Sequence, residues 1–178
     1  MIQVLPISEI FPFENHLRIF QMPETRLIGK SIYHTDETDV TPIPRFWTEY
    51  FEKYHAITST LPQIIKTNIA WFGDYEPSIK RFAYMICVIC PAGTPVPDGF
   101  EARDMPPMLL AHGTTCESPP EAHNIACFCD EVSKLGYRQT GLWCEFYPYQ
   151  SQMKNDCCIL FTVEKSNESI NNYAGKAV

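Results

Sequence analysis

Residues 91–100, PAGTPVPDGF, hold three prolines and two glycines. Such a stretch neither continues a strand nor readily starts a helix. The order of elements on its N-terminal side repeats on its C-terminal side, and this duplication constrains the fold more than any other feature. In the first half, 25–34 (TRLIGKSIYH) reads as a strand and 41–57 (TPIPRFWTEYFEKYHAI) as a helix. Pro44 suits its first turn, and Phe46, Tyr50 and Tyr54 recur every four residues on one face. Residues 67–75 and 81–90 then read as a hairpin around Glu76-Pro77-Ser78.

The second half gives a strand at 107–115, a helix at 118–136 and a hairpin of 141–149 with 156–164. Ser118 and Glu121 form a capping box, Pro119 takes the first helical position and Gly136 can close the end. Ala122, Ile125, Cys129 and Val132 supply the apolar stripe. Met22-Pro23 precedes the first strand of one half and Met105-Pro106 that of the other, while Trp71 and Trp143 each open a hairpin. The expected fold is therefore α+β. Two pseudo-symmetric β-α-β-β units form one antiparallel sheet with two helices on one face and a ligand groove on the other. One domain over 1–164 is expected, with halves at about 15–91 and 101–164, a linker at 91–100 and a polar tail at 165–178.

The 178 residues are 45% hydrophobic and 20% charged, which excludes a disordered or coiled-coil chain. The charge of −7 argues against a nucleic-acid surface, which needs clustered Lys and Arg. No apolar run reaches the roughly 18 residues of a membrane span, and no signal peptide is visible, so a cytoplasmic protein is expected. The eight cysteines then read as small core residues. Cys87 and Cys90 sit three apart in a strand, on opposite faces, which suits no shared metal. The five histidines show no HxxxH or HExxH spacing. No metal and no cofactor are expected.

The segment Trp143-Cys144-Glu145-Phe146-Tyr147-Pro148-Tyr149 carries the most chemistry. Strict alternation puts Trp143, Glu145, Tyr147 and Tyr149 on one face. A carboxylate flanked by aromatics suits a flat cation, through charge and cation–π contacts; a solvent-facing Glu on a half-exposed strand is the plainer alternative. Trp47 lies off the main helical stripe and can edge a pocket, whereas its aromatic neighbours read as core. Trp71 and Tyr75 share a face of their strand, and Tyr84 is either core or pocket floor. No GxSxG, Walker-type loop or GxGxxG occurs. His112 and Cys116 stand four apart in an expected turn, a weak basis for a nucleophile.

With these landmarks the chain resembles the GyrI-like small-molecule-binding domain, also found as the effector-binding domain of AraC-type and MerR-type regulators. The resemblance rests on VPDGFEARDMPPMLLAHGT (96–114), FWTEYFEKY (46–54), the Trp71 strand and LWCEFYPY (142–149). It covers about residues 15–165. It implies a bacterial, stand-alone module that binds lipophilic aromatic or cationic molecules around Glu145, with Tyr147 and Trp143 as walls. Pro107-Met108 stands where the family carries Ala-Gly, a departure that reshapes the groove entrance at Met108. Residues 1–20 are too short for a helix-turn-helix, so no direct nucleic-acid binding is implied. A partner regulator protein, and a monomer or a homodimer, fit this reading. Some stand-alone relatives are hydrolases of strained-ring aromatic compounds; on that alternative Glu145 is the general acid or base and Tyr147 its hydrogen-bond partner. A protein–protein interaction module is the second alternative. The architecture is also shared with SHS2 modules and SOUL-type haem-binding proteins, although the spacing of His112 and His123 does not point to haem.

Overall fold

The computed structural model describes residues 5–6, 17–35, 42–115, 122–146 and 157–166. Two leading strands, β1 (Leu5–Pro6) and β2 (Arg18–Met22), precede β3 (Thr25–Thr35). Helix α1 (Pro42–Lys53) and the short α2 (His55–Thr58) lead to the hairpin β4 (Ile69–Glu76) and β5 (Arg81–Pro91). The second half comprises β6 (Glu101–Met105), β7 (Met108–Thr115), α3 (Ala122–Lys134), β8 (Tyr137–Phe146) and β9 (Cys157–Lys165). The expected hairpin end at 147–149 and the capping box at Ser118 and Glu121 lie outside the described residues.

All nine strands join one curled half-barrel sheet in the order β1-β2-β7-β9-β8-β4-β5-β3-β6. The two β-α-β-β units meet at its centre, where β4 pairs antiparallel with β8. The expected α+β fold of two pseudo-symmetric units is the observed one. Three strands were not foreseen: the two-residue β1, β2 and β6. Strand β2, at the start of the first unit, pairs with β7 of the second, and β6, at the start of the second, pairs with β3 of the first. Each Met-Pro step thus ends a strand that borders the other half. This reciprocal exchange covers the edges of β3 and β7, which would otherwise offer unpaired backbone groups to other chains.

The two long helices, α1 and α3, lie on one face of the sheet. Phe46 and Tyr50 of α1 bury against Ala70, Tyr84 and Ile86, and Val132 of α3 buries with Ile19, Ala111 and Val163. Registers connect these patches. Ala70 faces Glu145, Glu145 faces Ile159, and Phe161, two residues on, faces Ala111. Phe128 of α3 stacks on Phe161 with centroids 4.9 Å apart. The apolar stripe of α1 is the one its spacing indicates: Phe46 and Tyr50 are buried and Tyr54 half-buried. Lys53 pairs with Glu49 one turn earlier at 2.9 Å, a small local gain on an exposed surface. At the end of α3, Gly136 adopts φ +80°, the left-handed conformation that terminates a helix at little cost to glycine.

The helix-free face holds the largest buried cluster among the described residues. Phe20, Met22, Leu27, Trp71, Met85, Cys87, Leu110, Trp143 and Leu160 belong to it. Each such side chain contributes roughly 1.5–3 kcal/mol when fully buried. The segment after α2 folds round to close it: Ile65 joins the cluster, and the Ile64 N–H donates to the Ile89 carbonyl at 2.8 Å. Cys87 lies in this cluster while Cys90 packs with Ile28 and Val88 on the helix side, so the two thiols point to opposite faces. No helix among the described residues is long and apolar enough to cross a membrane.

Candidate functional site

The seam between the halves carries a line of polar contacts on the helix-bearing face. The Trp47 indole Nε1–H donates to the Tyr84 hydroxyl at 2.9 Å, and that hydroxyl donates to Glu145 Oε2 at 3.4 Å. Three elements converge here: α1 supplies Trp47, β5 supplies Tyr84 and β8 supplies Glu145. Tyr84 is buried, whereas Trp47 and Glu145 are half-buried. The second contact is long, at the outer limit of a hydrogen bond. A half-buried carboxylate beside a phenol and an indole can take a donor or a cation.

The local sequence explains the geometry. Ala70 is the cross-strand partner of Glu145, and the two stand in matching places in the two units. Ala70 is flanked by Ile86 of β5 and Glu145 by Ile159 of β9. The pseudo-two-fold therefore places a methyl group opposite the carboxylate, which leaves the space above Ala70 to other side chains. Phe72, the partner of Tyr84, packs edge-on against its ring with centroids 5.3 Å apart and fixes the phenol. On α1, Trp47 stacks with Phe51 at 5.8 Å, and Phe51 meets His55 at 5.1 Å. These residues recur at positions i, i+4 and i+8 and form a second stripe, beside the core stripe of Phe46, Tyr50 and Tyr54. Phe51 is 46% exposed. The aromatic wall of the site is therefore this outer stripe.

Of the residues singled out from the sequence, the structure brings Glu145, Tyr84 and Trp47 together. It separates Trp143 and Trp71 from them. Strict alternation along β8 would put Trp143 beside Glu145, but the β8–β9 register slips between Leu142 and Cys144. The extra residue of such a bulge changes the parity of the strand. Trp143 consequently joins Cys144 and Trp71 in the cluster on the helix-free face, at 4% exposure. Its indole N–H has no hydrogen-bond partner among the described residues. Met108 sits at the start of β7, opposite Met22, and packs against that same cluster. Strand β9 separates β7 from β8, so Met108 is remote from the carboxylate. Tyr147 and Tyr149 lie outside the described residues.

The helix-free face, the expected place for a groove, is packed at the seam with buried side chains, and Glu145 opens on the helix-bearing side. Sequence reasoning missed Phe51, His55 and Phe72. The signal for the first two was present in the four-residue recurrence from Trp47. His112 is fully buried, and no group of three or more His, Cys, Asp or Glu fit to hold a metal occurs among the described residues. Burial pushes the Cys90 thiol up to about 11 and the Cys87 thiol higher still, so neither is a ready nucleophile at neutral pH.

No family model matches the sequence, and no curated protein matches it. Solved structures do match. A bacterial transcription regulation protein from Staphylococcus aureus MU50 aligns with a TM-score of 0.57 at 13% identity, covering 85% of this chain and 99% of that one. SAV2435, solved bound to tetraphenylphosphonium, aligns at 0.58 and 12% identity, over 84% and 94% of the two chains. The C-terminal domain of EcmrR aligns at 0.56 and 12% identity, over 84% and 98%. Sequence identity this low speaks for shared backbone architecture alone. The fold of this chain is that of the GyrI-like effector-binding domains.

Proposed function

We propose that this protein binds lipophilic aromatic cations on the helix-bearing face of the sheet, beside α1, with Glu145 as the counter-charge. The observation that carries this reading is the contact line from Trp47 through Tyr84 to Glu145 at the seam of the two halves. A half-buried carboxylate next to indole and phenol rings attracts a cation twice, by charge and by the ring faces. The −7 net charge favours the approach of cations. The likeness of fold to a protein solved with tetraphenylphosphonium supports the same ligand class. The activity proposed is sensing or sequestration in the cytoplasm, without turnover and without direct contact to nucleic acid. Tyr147 and Tyr149 follow Glu145 in the chain and are further wall candidates.

The test is thermal unfolding with tetraphenylphosphonium and with neutral triphenylphosphine oxide, for the wild type and Glu145→Gln. A ligand at about 100 times its dissociation constant adds roughly 2.7 kcal/mol, a shift of several degrees at this chain length. Stabilisation of the wild type by the phosphonium alone, lost in Glu145→Gln, is the expected result. Equal response of both proteins to both compounds sinks the charge role. A separate incubation with an electrophilic aromatic compound, followed by chromatography, reads turnover: a new product, absent with Glu145→Gln, would move the protein to the hydrolases.

A further inference from the structure

The aromatic stripe on α1 does not end at the carboxylate. It runs from Trp47 over Phe51 to His55, and His55 Nδ1 lies 3.2 Å from the Asn68 amide Nδ2. Asn68 immediately precedes β4 and stands two residues before Ala70, the partner of Glu145. Side chains two apart on an extended chain share a face and stand about 7 Å apart. The contact with His55 places Asn68 on the helix-bearing face, in line with the carboxylate. At this point a cleft of about 280 Å³ opens, lined by His55, Ser59, Leu61, Gln63, Lys66, Thr67 and Asn68.

The chemistry of this cleft is the opposite of that at Glu145. No carboxylate lines it, and Lys66 brings an exposed ammonium group that makes no ion pair among the described residues. Gln63 and Asn68 present amide N–H groups, one of Gln63's being used on the Thr58 carbonyl at 3.0 Å. Such a lining accepts an anion or a carbonyl oxygen. One face of the sheet thus carries an acidic station and a cationic, donor-rich station, joined by an aromatic wall.

We infer that the cleft is a second subsite of the same binding surface, which takes the carboxylate or carbonyl end of an elongated aromatic molecule whose cationic end lies at Glu145. The inference rests on the proposed cation site and narrows its ligands to amphoteric compounds. The preferred ligand class carries a basic or quaternary nitrogen at one end, a flat apolar body and an acidic or carbonyl group at the other. Plain lipophilic cations fill half of the surface.

The probes are rhodamine B, a cationic dye with a free carboxylate, and its ethyl ester, which lacks that charge. Binding is read by fluorescence anisotropy at pH 8 for the wild type, Lys66→Glu and Glu145→Gln. Lys66 is exposed, so its replacement leaves the core untouched. Expected is a preference of the wild type for the acid over the ester of about 3- to 5-fold, the scale of one partly exposed charge pair. Lys66→Glu is expected to abolish or reverse that preference, and Glu145→Gln to weaken both dyes together. Equal binding of acid and ester that still depends on Glu145 overturns the second subsite and leaves the cation site standing. A preference that depends on Lys66 while neither dye responds to Glu145→Gln removes the cation site and overturns the two-station surface, leaving an anion cleft alone. Failure of both dyes to bind overturns both.

Discussion

The two faces of β8 at the seam differ more than their shared strand would lead one to expect. On the helix-free side, Trp143 and Cys144 sit in a buried apolar cluster with Trp71 and Leu160. On the other side, one residue later, Glu145 joins a phenol and an indole in a half-buried polar line. A single register slip between Leu142 and Cys144 makes the division. It turns the tryptophan inward, where it stabilises, and leaves the glutamate outward, where it can bind. The helix-free face is packed throughout the seam, whereas the helix-bearing face combines a core of its own around Tyr50 and Tyr84 with a half-buried carboxylate.

This comparison fails or sharpens under substitution. The largest effect belongs to the packed face. Trp143→Ala is expected to cost about 3–5 kcal/mol, a fall of roughly 10 °C or more in melting temperature at this size. A loss under about 1 kcal/mol would mean that the cluster is not the main core. Next comes Gly73→Ala. A Cβ there would stand 1.9 Å from the Trp71 ring, which folds over the glycine. Displacing the indole should cost about 1–3 kcal/mol, measurable by urea titration.

On the polar face the effects should be smaller. Tyr84→Phe removes the hydroxyl that links Trp47 to Glu145, at about 1 kcal/mol. Combined with Trp47→Phe it should be non-additive by about 0.5 kcal/mol or more; strict additivity would show that the line does not act as a unit. Glu145→Gln should change stability by less than about 1 kcal/mol while removing the response to cations. A cost equal to that of Trp143→Ala would make the glutamate structural.

The smallest effect compares Cys87 on the packed face with Cys90 on the helix side. Burial raises both thiols above their unfolded value of about 8.5. The folded state therefore holds them neutral, and their contribution is fully present below that pH. It is lost as pH rises from about 8.5 towards the folded value, which for Cys90 is about 11. Alkylation with iodoacetamide over a pH series should modify Cys90 before Cys87 in the native protein. Reaction of Cys87 first would place the looser packing on the helix-free face.

How far the sequence carried can be seen residue by residue. The stripe of Phe46, Tyr50 and Tyr54 gave the buried side of α1 because a helix repeats every 3.6 residues regardless of its partners. The same rule applied to Trp47, Phe51 and His55 would have revealed the outer stripe. The pairing of β2 with β7 and of β6 with β3 left no local trace, since short strands of five residues carry little pattern. Trp143 went to the other face because alternation counts residues and cannot register an inserted one. The meeting of Tyr84 with Glu145 joins residues 61 apart in the chain, and no spacing rule reaches that far.

Local rules along the chain suffice for the duplicated order of elements, the buried stripe of the first helix and the presence of one carboxylate among aromatic residues. These follow from local periods, turn residues and composition, all of which act within a few positions along the chain. The tertiary structure alone decided which face each residue of β8 occupies, which strands cap the sheet and which aromatic groups reach Glu145. Those depend on register and on the approach of the two halves. Both are set by how the whole sheet closes its core, which no short segment encodes.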